Sequence, residues 1–283
     1  MRWRVLAVVV LIGLSGCSSL LGGGDTAPTL TPAPVPTDEP VARSEVMLAP
    51  GVFIDGELNT DRLSDAHRNI LRNTSFVWTG TENRTGQVAN VTASSVARRR
   101  VVFENASHYY FATNSRFGRY QGRRIFYPVY NEYADGEDVY VRALATSWSA
   151  YRFDRVTADG TDNRFVRSTS NAIERYLSVE SVTVERIDTA GGARYRLTAT
   201  EPSDGLVRAV DDYRVSAVVT PRGLVRNLTA TYTTERTIPS GTVTFTYRYT
   251  STITHVGNVT VQSPEWLPEA KRQLANESNG SGP

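Results

Sequence analysis

Apolar and polar residues alternate along most of this chain, and two stretches replace that period of two with a helical one. In residues 59–73, Leu63, Ala66, His67, Ile70 and Leu71 fall at i, i+3, i+4, i+7 and i+8, while Asp61, Arg62, Asp65, Arg68 and Arg72 take other positions. That spacing predicts a one-faced helix, and Asn59 or Thr60 can cap its start. A shorter helix is predicted over about 168–177, with Ile173, Tyr176 and Leu177 inward. Residues 194–199, 213–217 and 242–249 instead place an apolar side chain at every second position, with Arg and Thr between, as strands with one buried face do. Pro221-Arg222-Gly223 and Ile238-Pro239-Ser240-Gly241 separate the last three long strands, which makes them an antiparallel meander. Residues 75–82, 88–103, 109–113, 123–130 and 139–144 carry the same period.

The class is α+β: a single large curved antiparallel sheet, a half-barrel, wrapped over two helices. Two helices cannot cover a sheet this wide, so the sheet must curl around them or enclose something else. The expected lining of that interior is Trp78, Tyr195, Leu197, Tyr213, Val215, Phe245 and Tyr247, with His67 on the inner face of the first helix.

The start of the chain has a different pattern. Arg2 and Arg4 precede an unbroken apolar run from Val5 to Ile12, and Leu14-Ser15-Gly16-Cys17 follows, ending on the only cysteine. Residues 1–16 read as an export signal closed by a lipobox, so Cys17 is expected to carry lipid and anchor the protein on the outer face of the cell membrane. The apolar run is about half of the ~20 residues a spanning helix needs. Residues 17–43 are rich in Pro, Thr and Gly and read as a spacer. Residues 44–268 form the folded domain, and 269–283 read as an unstructured tail.

Charge and candidate chemistry narrow the function further. The net charge of +2 falls to zero once residues 1–16, with Arg2 and Arg4, are removed, so no net field draws the protein to nucleic acid. His67, His108 and His255 are far apart, with no histidine or cysteine at ligand spacing, and neither a nucleophile elbow nor a phosphate loop occurs. No metal, cofactor or catalytic residue is expected. His67 reads as a packed or cavity-edge histidine bonded to backbone.

Between Tyr109 and Tyr133, nine rings interleave with Arg116, Arg119, Arg123 and Arg124. One reading has Arg116, Arg119, Tyr120, Arg123 and Tyr127 at an entrance that grips an anionic headgroup. The other, which we prefer, has cross-strand Arg–Tyr pairs on an exposed sheet face. Asn73, Asn83, Asn90, Asn105, Asn227, Asn258, Asn276 and Asn279 each begin an Asn-x-Ser/Thr triplet and are candidate glycan acceptors in an exported chain.

A lipidated cysteine, a tether, an amphipathic helix leading into a strand, a mid-chain helix and a closing meander ending in Thr254-His255-Val256-Gly257-Asn258-Val259-Thr260-Val261-Gln262-Ser263-Pro264 together resemble the LolA/LppX/LprG-type lipoproteins. The order is also similar to that of haloarchaeal surface lipoproteins of unassigned function. The likeness spans Leu48 to Pro264. It implies a curved sheet over helices with a cavity that, in several members, holds lipid or acyl chains. The expectation is a non-enzymatic, membrane-anchored protein that binds or carries a hydrophobic ligand. The alternative is a structural or interaction protein of the cell envelope with a fully packed core, and a hydrolase of envelope lipid or glycan comes third.

Overall fold

The helix expected at 59–73 is α1, Thr60–Arg72, and the oxygen that caps it is that of Asn59, which accepts from the Arg62 N–H at 2.9 Å. The computed structural model describes residues 46–88, 91–120, 123–157, 163–203, 210–238 and 241–280. All of them belong to one compact unit. Cys17, the signal and tether expected at 1–43, and Asn90 lie outside the described residues.

A short hairpin, β1 (Met47–Ala49) and β2 (Val52–Phe53), precedes α1. The main sheet then takes in β3 (Phe76–Val88), β4 (Val91–Asn105) and β5 (His108–Thr113). It continues with β8 (Val129–Asp135), β9 (Asp138–Leu144) and β10 (Arg152–Thr157). Between β5 and β8 the chain forms a separate hairpin, β6 (Arg116–Tyr120) and β7 (Arg123–Tyr127). After α2 (Arg164–Tyr176) come β11 (Thr183–Thr189), β12 (Gly192–Ala199), β13 (Asp211–Val219), β14 (Val225–Ile238) and β15 (Gly241–Thr254). The eleven strands lie in the order β10-β9-β8-β5-β4-β3-β15-β14-β13-β12-β11, every neighbour antiparallel. The sheet is two meanders joined at β3 and β15, and it curves without closing.

α1 and α2 pack on each other and on one face of the sheet. Ile173, Tyr176 and Leu177 meet Leu197, Tyr213, Val215 and Leu228, while Leu71, Phe165 and Val166 meet Phe76, Trp78, Val101 and Phe103. The helices thus cover the centre of the sheet and its C-terminal half.

Two expectations are corrected. The segment 269–283, read as an unstructured tail, contributes most of a third helix, α3 (Leu267–Gly280). It is held because Trp266, Leu267 and Ala270 pack on Tyr133, Tyr140 and Phe153, rings on the face of β8–β10 opposite the one α1 and α2 occupy. α2 also begins at Arg164 rather than 168, because the Asn163 side chain accepts from the Val166 N–H at 3.1 Å and starts the helix a turn earlier. Among the described residues no helix is long and apolar enough to cross a membrane.

Candidate functional site

The first turn of α2 reaches β5 through Phe165 and β8 through Arg164, and a cavity of about 950 Å³ lies against β5 and β8–β10. Val139, Val141 and Ala143 of β9 form part of its wall, and eight aromatic side chains border it. Phe165, in the first turn of α2, sets its ring 5.1 Å from that of Tyr109 and 5.5 Å from that of Phe111. Tyr127 lies edge-on between Tyr130 (6.0 Å) and Trp148 (5.6 Å). Such edge-on rings brace one another while leaving apolar surface toward the void.

The polar end of the cavity is built around Glu132, 3% exposed on β8. Its carboxylate accepts from Arg116 at 2.9 Å, from Arg164, and from the Tyr109 hydroxyl at 3.4 Å. A buried carboxylate needs such partners to remain charged. Each guanidinium carries five N–H donors, so Glu132 engages only part of each set, and both arginine side chains remain over a third exposed. Arg116 also lies 3.8 Å from the Tyr130 ring centre, and Arg164 4.8 Å from that of Phe165. Burial pulls the Arg164 guanidinium below the usual arginine range and lifts the Tyr109 and Tyr130 phenols, although Arg116 and Arg164 draw the phenols back. The phenols are neutral donors at neutral pH. Across the whole wall Arg116, Arg152 and Arg164 face Glu132, Asp154 and Glu277, so the charge is local rather than a net field.

Of the residues expected at an entrance, Arg116 and Tyr127 border this cavity. Arg119, Tyr120 and Arg123 fall in β6 and β7, with Arg119 opposite Arg124 and Tyr120 opposite Arg123, and their side chains lie outside the described ones. None of the eight expected lining residues borders it. Leu197, Tyr213 and Val215 are packed core beneath α2, with Tyr195 and Tyr247 partly buried against the same cluster. Tyr213 donates its hydroxyl to the Tyr176 carbonyl at 2.5 Å. Trp78 packs beside Phe76 and Val101 and donates to the Ser251 hydroxyl at 2.9 Å. Phe245 lies against Gly86, where a Cβ would come within 2.3 Å of the ring, and 3.7 Å from the Arg84 guanidinium on its face.

His67 is buried and bridges three elements. Its Nδ1 accepts from the Val225 N–H at 3.2 Å, and its Nε2 meets the Thr169 hydroxyl at 3.0 Å, which itself donates to the Val166 carbonyl. The aromatic cavity lies over the other half of the sheet from these residues. Period-two alternation shows that a face is buried and is silent about what covers it. Glu132 is the single acid inside the Arg–Tyr run, and that isolation is the mark the site leaves in the sequence. Arg164 and Phe165 lay before the expected start of their helix.

A second, more polar cavity of about 1090 Å³ lies where the ends of α1 and β4 meet the start of α2. Arg68, Arg72, Arg167 and Glu104 border it, and so do three candidate glycan acceptors, Asn73, Asn105 and Asn258. Arg68 is committed to Asp65 and Glu174, and Glu104 accepts from the Val261 N–H at 3.1 Å. Asn227 and Asn276 are exposed elsewhere, and Asn83 is half-buried on β3 with its side-chain oxygen enclosed. Asn279 lies in α3. Among the described residues no group of three or more His, Cys, Asp or Glu is placed to hold a metal.

An open antiparallel sheet, with α1 and α2 on one half and an aromatic cavity on the other, defines this as a protein of half-barrel architecture. The chain belongs to a family of unknown function, DUF7537, whose pattern matches residues 2–270. No curated protein sequence matches it. Solved structures similar to it include a LolA superfamily protein from Nitrosomonas europaea, 9% identical, covering 74% of this chain and 97% of that one at a TM-score of 0.23. Another is a DUF1329 family protein from Desulfovibrio piger, 9% identical, covering 73% and 94% at a TM-score of 0.22. Neither likeness carries an argument at these TM-scores, and the architecture rests on the strand order above.

Proposed function

We propose that this chain is a surface lipoprotein, anchored in the membrane through Cys17, that holds a hydrophobic ligand of lipid type in the aromatic cavity. The observation that carries the reading is the cavity itself: about 950 Å³, at the upper end of the roughly 300–1,000 Å³ typical of ligand pockets, with rings and small aliphatic side chains along it and two arginines at one end. An apolar chain gains by leaving water for such a wall, about 0.8 kcal/mol per buried methylene. A polar or anionic end group would meet the donors of Arg116 and Arg164 that Glu132 leaves over.

Native mass spectrometry of the purified protein, followed by organic extraction, is expected to show a bound hydrophobic molecule. Val141→Trp places an indole in the void and is expected to lower uptake of a fluorescent lipid analogue at least about tenfold. Its cost to stability should stay below about 1 kcal/mol, because the ring enters empty space rather than a packed site. A wild-type protein with no extractable lipid and no uptake would sink the carrier reading in favour of a structural envelope protein.

Anchoring is tested separately. Two acyl chains suffice for stable attachment where one is marginal, so Cys17→Ser is expected to release the protein from membranes or leave it unprocessed. Equal lipid labelling and retention of the variant would refute it.

A further inference from the structure

The described residues expose six large apolar side chains, and two of them border the cavity. Tyr151 (40% exposed) and Val156 (49%) border it directly, and Phe117 (60%) follows Arg116, which does too. The Thr146 N–H donates to the Phe126 carbonyl at 3.2 Å, which ties the β6–β7 hairpin to the turn leading to Tyr151. Phe117 and Phe126 are opposite one another in that hairpin, with ring centres 5.1 Å apart. Arg119 and Arg124 form the register pair two residues on.

Charge is lopsided in the segments that form this rim. Residues 116–127 and 142–156 hold seven arginines and one acid, Asp154. Glu132, Asp138 and Glu277 reach these segments from outside, and arginine remains in excess. The rim arginines are also stacked on rings: Arg152 lies 4.4 Å from the Trp148 ring centre and Arg142 4.1 Å from that of Tyr151. Rings and arginines side by side, with the apolar surface exposed, suit the boundary between water and lipid, where amphipathic rings sit and guanidiniums reach headgroup phosphates.

We propose that the cavity rim, formed by the β6–β7 hairpin and the segment around Tyr151 and Val156, docks on a negatively charged lipid bilayer. Docking sets the cavity mouth against the membrane. The inference concerns the rim and does not depend on whether the cavity holds a ligand.

The test is partition of the full chain carrying Cys17→Ser, which has no acyl anchor, onto vesicles of phosphatidylcholine alone or with phosphatidylglycerol. Any contribution of the apolar run at 5–12 is common to every variant and is measured on the zwitterionic vesicles. The chain is expected to prefer the anionic vesicles, and to lose that preference as salt is raised. Arg119→Gln with Arg124→Gln is expected to lower partition onto anionic vesicles roughly 20- to 30-fold, about fivefold for each arginine. Phe117→Ser, which leaves every arginine in place, is expected to lower it roughly tenfold through lost apolar insertion, with the salt dependence retained. Equal partition onto both vesicle types, or a double arginine variant that partitions like its parent while remaining folded by circular dichroism, would overturn the proposal. So would displacement from the vesicles by inorganic polyphosphate at concentrations that leave ionic strength unchanged, since the arginines would then serve a free polyanion.

Discussion

Val215→Gln is expected to destabilise the protein by about 2 to 6 kcal/mol, from an amide buried without a partner (about 1–3) and the added volume in a filled site (about 1–3). Val215 is 4% exposed on β13 and packed in the cluster that holds Ile173, Tyr176 and Leu177 of α2. Urea denaturation measures the loss, and uptake of a fluorescent lipid analogue per folded molecule should be unchanged. Were Val215 on a ligand-bearing wall, the opposite pattern would appear, with uptake falling before stability. The pair Val215→Gln and Val141→Trp thus separates the packed half of the sheet from the open half by two readouts that move in opposite senses.

The second large effect is a loss of stability in mild acid that depends on one histidine. Burial, assisted by the nearby Arg68, pushes the His67 imidazole down to about 3 from its ordinary 6.5. The unfolded chain therefore binds a proton at this site below about pH 6.5 that the folded chain refuses until about pH 3. Stability falls as pH drops through that window, by about 1.4 kcal/mol per pH unit once well below 6.5, or about 2 kcal/mol at pH 5 relative to pH 8. The geometry gives the reason, since Nδ1 accepts from the Val225 N–H and a proton there would set donor against donor. Denaturation midpoints between pH 5 and 8 should show this slope in the wild type, and His67→Gln should flatten it. A His67→Gln variant that keeps the same slope would assign the acid sensitivity to other groups.

How much of this was legible depends on whether local sequence or distant packing decides. α1 was readable in full, because its spacing and its Asn59 cap are local. The meander β13–β15 was readable from its turns, and Gly223, at φ 89, sits where a turn needs a left-handed residue. Strand ends were less so: the run read as 88–103 straddles two strands, with β3 extending to Val88 and β4 starting at Val91, and 123–130 divides into β7 and the start of β8. α3 could not be read from its own residues, which are weakly amphipathic and rich in Asn and Ser, because rings contributed by β8, β9 and β10 hold it. The cavity was foreseen as a consequence of too few helices for so wide a sheet. Its position was not, since α1 and α2 settle over the C-terminal half through contacts such as Tyr176 on Tyr249, stacked at 4.6 Å, that no sequence spacing announces.

The central pairing of the sheet sets the order in which the protein can assemble. β3 is the first long strand and β15 the last, and they lie side by side from Val77 opposite Thr254 to Gly86 opposite Phe245. Each meander can form from neighbours in sequence, but the seam between them waits for the end of the chain, and contacts so distant in sequence form slowly. A chain emerging from its N-terminus first would hold the cavity half with the β3 edge unpaired until β15 arrives. An open edge of that length is a template for pairing with another chain, so the interval before the seam closes is when this protein is most prone to aggregate and most in need of a chaperone.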